Sequence, residues 1–307
     1  MIESLEQLYY DGFCEDGIEY ARFFCNENYK YAVCYPKDNP LSCGYLIERE
    51  LNNATKIGYL SALATKKENR GLGFASIVVY EILNKANAKK YPFVVLGPFS
   101  PTYYKKFGFF DFDVRSKRKV IGGNVVAKTA KEEDVIAINS LFDSNTFSCA
   151  FNTEYFNKLQ REAVVTKAKL YSLYKNDKIV GFCVKGRNYI SNLICKNNEI
   201  ENCNDFLGLE FLAKSTDGVP FLQMRITKIE EFLNLFKPLK KFDCRIKIKD
   251  CVIEENNRTL KLFSNGNKIE TLIVENYDIE LDIKDLYEFL VSQKCIEKIH
   301  SDFIDNY

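Results

Sequence analysis

The strongest periodic signal lies between residues 56 and 109. Ile57, Tyr59, Leu60 and Leu63, set among small residues, predict a strand. Asn69-Arg70-Gly71-Leu72-Gly73 interrupts it. Ala75, Val78, Val79, Ile82, Leu83 and Ala86 then recur at spacings of three and four, which predicts a helix with one apolar face. Phe93 to Leu96 is a short apolar run suited to a buried strand, and Pro98 and Pro101 stop it. Tyr103 to Phe109 fits a helical turn closed by Gly108, followed by an aromatic strand at Phe110 to Val114.

Around this centre the pattern is shorter in range. Residues 2 to 27 predict two short helices with Leu5, Leu8, Phe13, Tyr20, Phe23 and Phe24 inward, joined by Cys14-Glu15-Asp16-Gly17. Tyr29 to Cys34 and Gly44 to Glu48 predict strands on either side of the turn Lys37-Asp38-Asn39-Pro40. Ile121-Gly122-Gly123-Asn124 closes a first region near residue 125. Lys131-Glu132-Glu133-Asp134 opens an apolar helix through Ile136, Ile138 and Leu141. Leu170 to Tyr174 and Lys178 to Val184 alternate around Lys175-Asn176-Asp177, the mark of a hairpin. From about 240, strands at 243–249, 258–264 and 268–275 precede a helix opened at Asp282 and reaching Leu290.

The 307 residues leave room for two or three ordinary domains. A formal charge of +1 gives no general argument for a nucleic acid or an anionic membrane as partner. The basic run Lys237 to Lys249 is broken by Phe242, Cys244 and Ile246, as on a solvated strand face. No apolar run approaches spanning length, and the acidic start Met1 to Glu6 does not read as a signal peptide. Eleven scattered cysteines without a Cys-x-x-Cys pair argue against a zinc site or a disulfide framework; reduced thiols in a cytoplasm are the expectation, with no metal. The single histidine, His300, excludes a histidine base in the first region.

The order strand, glycine loop, helix has a physical use. The first turn of a helix carries N–H groups without intrahelical partners, and with the dipole they form an anion site. Gly71 and Gly73 let an anion approach the backbone, and Arg70 adds a forked cation. This is neither a Walker loop nor the dinucleotide fingerprint. Alone it fits an ordinary strand-to-helix turn equally well. The tyrosine turn about thirty residues later is the second half of the signal.

Arg70-Gly71-Leu72-Gly73-Phe74-Ala75 resembles the acyl-CoA pyrophosphate loop of GCN5-related N-acetyltransferases, and Tyr103-Tyr104 with Gly108-Phe109 resembles the family's tyrosine-bearing turn. The resemblance implies an α+β fold with a mixed, mostly antiparallel sheet, and acetyl-CoA as acyl donor. Residues Arg70 to Ala75 would face the pyrophosphate, and the backbone of Leu63, Ala64 and Thr65 the pantetheine. Tyr104 would protonate the departing thiolate, a task that suits a phenol of pKa about 10, while Tyr103 would be structural. One departure is Glu68, where the family usually has Arg or Gln; Lys66, Lys67 and Arg70 offset it. The early helices would line the acceptor side, where Glu15, Asp16 and Glu19 attract a cationic amine.

Gln223 to Leu233 resembles a strand-to-helix signature of the Eis (enhanced intracellular survival) acetyltransferases, and the later strands resemble their sterol-carrier-like end. This implies an active acetyltransferase domain at 1–125, a second acetyltransferase-like domain without the cofactor loop at 126–238, and a sterol-carrier-like α/β domain at 239–307. It also implies hexamers, aminoglycoside acetylation, and the terminal carboxylate of Tyr307 as base. That carboxylate is weak, with an ordinary pKa of about 3.5, unless burial raises it. The expected activity is acetyl transfer to primary amines of a cationic small molecule or a peptide. The rival is an acyl-CoA or apolar-ligand binding protein or sensor without transferase activity, a reading favoured by Glu68 and the compact length.

Overall fold

The computed structural model describes residues 2–142 and 147–299. The chain opens with α1 (Ile2–Gly12) and α2 (Ile18–Asn28), separated by Gly17 at φ +81°. Then come β1 (Ala32–Tyr35), β2 (Ser42–Glu50), β3 (Lys56–Thr65), α3 (Phe74–Ala88), β4 (Phe93–Leu96), α4 (Pro101–Lys105) and β5 (Phe110–Lys119). The middle holds β6 (Val126–Thr129), α5 (Val135–Asn139), α6 (Thr153–Thr166), β7 (Lys169–Lys175), β8 (Lys178–Lys185), β9 (Ile190–Cys195), β10 (Glu210–Lys214), β11 (Val219–Ile226) and α7 (Ile229–Leu233). The last part has β12 (Phe242–Lys249), β13 (Arg258–Ser264), β14 (Ile269–Ile273), β15 (Ile279–Asp282) and α8 (Leu286–Ser292).

Several expectations need local correction. Tyr29–Tyr31 is a 3-10 turn, so the first strand starts at Ala32. The helix after Asp134 is only five residues long and leaves Ile136 exposed, because its apolar run does not keep a helical spacing. Helix α6 was not expected; Asn152 caps it by accepting from the Tyr155 N–H, and Phe156, Leu159 and Ala163 form its buried stripe. Strand β15 was also not expected, being four residues long and largely exposed. The hairpin at β7–β8 turns at Asn176 and Asp177 with φ +50° and +60°, the left-handed pair a tight hairpin needs.

The seven-stranded sheet runs β1-β2-β3-β4-β11-β5-β10. Only β3–β4 is parallel; β11 lies antiparallel to both β4 and β5. The mixed, mostly antiparallel character therefore matches the α+β expectation. The sheet crosses residue 125, since β10 and β11 come from the second region. Two four-stranded sheets, β6-β7-β8-β9 and β14-β13-β12-β15, stand beside it.

Alternation along the central strands assigns their faces. Phe93 and Val95 join Ile57 and Tyr59 in the core under α1 and α2; Val94 and Leu96 join Leu60 under α3. Strand β4 is buried on both sides, which is why its four residues are uniformly apolar. Among the described residues no helix is long and apolar enough to cross a membrane, and all eleven cysteines are free thiols.

Candidate active site

Two backbone features open the sheet beside the glycine loop. Strands β3 and β4 pair only at Gly58↔Val94 and Tyr59↔Val95, although β3 continues to Thr65. The β2–β3 register slips by one residue between Ser61 and Ala64, where Ala62 has φ +49°. Such a bulge bends its strand and raises the local twist. Beyond Leu60, β3 therefore leaves β4, and the two strands splay.

Residues 66–73 lead from β3 into α3. Lys67–Asn69 forms a 3-10 turn in which Glu68 is exposed, and Gly71 and Gly73 have φ +81° and +87°. An added Cβ at either glycine would meet nothing within 4 Å, so their use is conformational and keeps the space in front of the loop clear. The amides of Ser76 and Ile77 donate to the Gly73 carbonyl. Among the described residues, those of Gly71, Leu72, Gly73, Phe74 and Ala75 donate to none. Five consecutive free donors at the N-terminus of a fifteen-residue helix form an anion cradle.

Arg70 has a different position from the one expected. Its Nε donates to the Thr65 carbonyl at 3.2 Å and its Nη2 to the Asp11 carbonyl at 3.0 Å. The guanidinium thus ties the loop to the end of β3 and to α1. The cation that reaches the start of α3 is Lys106, whose Nζ lies 3.1 Å from Ser76 Oγ and 4.4 Å from the centre of the Tyr103 ring. Sequence reading passed over Lys106 because no local pattern brings it to a helix thirty residues earlier.

The tyrosine turn lies on the α3 side of the sheet. Tyr104 is buried against Phe109 and crosses Tyr103 edge to face. Burial pushes its phenol up to about 12. Among the described residues nothing hydrogen-bonds its hydroxyl. Tyr103 is half-buried, with its hydroxyl 3.5 Å from Ser76 Oγ. Ala64 and Thr65 are held in place by Ser42, which donates to the Ala64 carbonyl and shares a hydrogen bond with the Thr65 hydroxyl, 2.9 Å each. Leu63 is half-buried beside the α3 core. Tyr307 lies outside the described residues.

On the opposite side of β3 is a cavity of about 680 Å³. Ser61 and Ala62 of the bulge line it, as do Glu15 and Asp16 of the α1–α2 turn; Glu19 does not. Burial raises the Asp16 pKa even though Tyr9 donates to the carboxylate at 2.9 Å. Glu162 of α6 also lines the cavity, a residue that sequence reading did not single out. Among the described residues no group of three or more His, Cys, Asp or Glu side chains is placed to hold a metal.

Residues 32–110 match the family model of the acetyltransferase (GNAT) domain. No curated protein matches the sequence. Among solved structures, a probable N-acyltransferase from Enterococcus faecalis V583 is similar with a TM-score of 0.76 at 13% identity, over 100% of this chain and 97% of that one. A GCN5-related N-acetyltransferase from Anabaena variabilis gives 0.71 at 15%, over 95% and 87%. Eis1 from Mycobacterium abscessus gives 0.59 at 12%, over 86% and 83%. At these identities the likeness is one of fold. Residues 32–110 are thus similar to an acetyltransferase (GNAT) domain, in a chain that shares the fold of these structures over most of its length.

Proposed function

We propose that this chain is an acetyl-CoA-dependent N-acetyltransferase acting on primary amines of a cationic small molecule or peptide. The observation that carries the reading is the row of five unpaired amides, Gly71 to Ala75, opening beside the β3–β4 splay. The pyrophosphate lies on those amides. Lys106 supplies a nearby cation, and Arg70 holds the loop rather than the anion. The pantetheine arm follows Leu63 to Thr65, where β3 has left β4 and its edge is open. The thioester then faces the cavity beyond Ser61 and Ala62, from which the amine attacks.

Tyr104 is the proposed proton donor to the thiolate. The proposed base is the Tyr307 carboxylate. The Eis-like resemblance adds a sterol-carrier-like C-terminal region, a hexamer, and an aminoglycoside as a cationic acceptor, which rest on the sequence motifs; a cytoplasmic location rests on the scattered free cysteines.

The test is release of CoA thiol with acetyl-CoA and a panel of amines, aminoglycosides included. Amine-dependent release is expected, and its absence across the panel, in protein that binds acetyl-CoA, would favour the sensor reading. The cradle has its own test. Gly73→Ala adds about 1–2 kcal/mol of left-handed strain and puts a methyl group where the phosphate approaches. Calorimetry should give an acetyl-CoA Kd raised by about tenfold or more, equivalent to 1.4 kcal/mol. An unchanged Kd would place the anion elsewhere.

A further inference from the structure

The cavity beyond β3 is walled by both halves of the chain, and its acid from the second half has no place in the reaction described so far. Glu162 Oε1 accepts the Tyr20 hydroxyl at 3.0 Å, from α2 of the first half. Its Oε2 is buried and has no hydrogen-bond partner. A buried carboxylate oxygen without a donor is costly and rare in folded proteins. Burial raises the Glu162 pKa, against the opposing pull of Lys158 on its own helix, the Tyr20 hydrogen bond and Arg49 of β2. Tyr189, just before β9, feels both Glu162 and Asp16.

That oxygen is closed to solvent, so a ligand meets it once the Glu162 side chain turns into the cavity, and the charge balance of the walls indicates which ligand. Glu15, Asp16 and Glu162 line the cavity. Arg115 is the one lysine or arginine among its described lining residues, and it is paired with Asp113 at 2.9 Å and laid on the Phe221 ring at 3.7 Å. The space is therefore net acidic with aromatic faces, which favours a cation over a neutral donor. The volume is far larger than one amino group needs, and the reacting amine belongs at the Ser61–Ala62 end.

We infer that Glu162 binds a second, non-reacting ammonium group of the acceptor, so that the preferred substrates are diamines and longer polyamines rather than monoamines. This rests on the transferase reading for the identity of the cavity as the acceptor site. It gives the second half a direct part in choosing the substrate: the first half presents the thioester, and α6 holds the far end of the amine.

The experiment compares 1,5-diaminopentane with pentylamine, by calorimetric binding and by the ratio of kcat/KM in acetyl transfer. The wild type should bind the diamine at least about tenfold more tightly. Glu162→Gln should weaken diamine binding by about ten- to a hundredfold, the usual range for losing a charged hydrogen bond, and bring the diamine-to-monoamine ratio close to one. Tyr20→Phe should shift the ratio in the same direction by less. Acetyl-CoA affinity checks that each variant is folded. Diamine affinity of the wild type should fall as the carboxyl protonates, at a pH above that of an ordinary glutamate, and the glutamine variant should lack this step. Equal affinities for the two amines, or a glutamine variant that keeps the preference, would overturn the inference. Wild type that fails to bind acetyl-CoA would instead remove the transferase reading, leaving the diamine comparison to be judged by binding alone.

Discussion

Asp250→Ala is expected to lower the unfolding free energy by about 3–5 kcal/mol, the range for removing one partner of a buried ion pair. Arg225, on β11, is fully buried. Its Nε donates to the Phe107 carbonyl at 2.6 Å, its Nη1 to the Ile226 carbonyl and its Nη2 to Asp250. Asp250 Oδ1 also accepts from the Val252 and Ile253 amides at 2.9 Å each, and Oδ2 from Asn256 at 2.8 Å. Deleting the carboxylate leaves a buried guanidinium without its counter-charge, its Nη2 and the Val252 and Ile253 amides without their acceptor, and Asn256 with only the Thr227 carbonyl at 3.3 Å. The double variant Arg225→Met/Asp250→Leu removes both charges and leaves only the neutral Val252, Ile253 and Asn256 donors short of an acceptor, so it should lose less than Asp250→Ala alone. Urea unfolding of the three proteins decides the matter; a single variant within 1 kcal/mol of wild type would contradict this account.

Tyr104→Phe should lower kcat by about a hundredfold with little change in the acetyl-CoA KM. General acids contribute about 10²–10⁴-fold, and the height of this phenol's pKa favours the low end. The phenol, pushed up to about 12 by burial, stays protonated at any physiological pH and so is always ready to donate. An ordinary thiol has a pKa of about 8.5, so full proton transfer from such a phenol is uphill by roughly three units. On the proposed reading its contribution is then a hydrogen bond that strengthens as the carbon–sulfur bond breaks. Tyr103→Phe is the control, since that hydroxyl meets Ser76 at 3.5 Å on the first turn of α3. Its kcat should change less than about threefold, well under the hundredfold expected of a general acid. A larger loss from Tyr103→Phe than from Tyr104→Phe would reverse the two assignments.

What the sequence disclosed divides along the line between local and non-local physics. The glycine loop, α3, the all-apolar β4 and the Asn176-Asp177 hairpin are set by neighbours in the chain, and each was readable. Helix α6 was equally local, with Asn152 as cap and Phe156, Leu159 and Ala163 as stripe, and the signal was overlooked. Strand β15 carries too few buried residues to announce itself. The roles of Arg70 and Lys106 depend on which backbone or helix end comes within 3.2 Å, and that follows from tertiary packing. Glu162 sits among helix residues with nothing distinctive in its spacing. Its orphaned oxygen exists only once α2 and α6 have met.

The insertion of β11 between β4 and β5 imposes an order on biosynthesis. When a ribosome has released β5, the hydrogen-bonding flanks of both neighbouring strands still face an empty slot, and about a hundred further residues must emerge before Val219–Ile226 can fill it. Until then the nascent chain exposes two raw sheet edges, the kind of template that recruits foreign strands. The half that holds the glycine loop thus stays unfinished until the other half has been made.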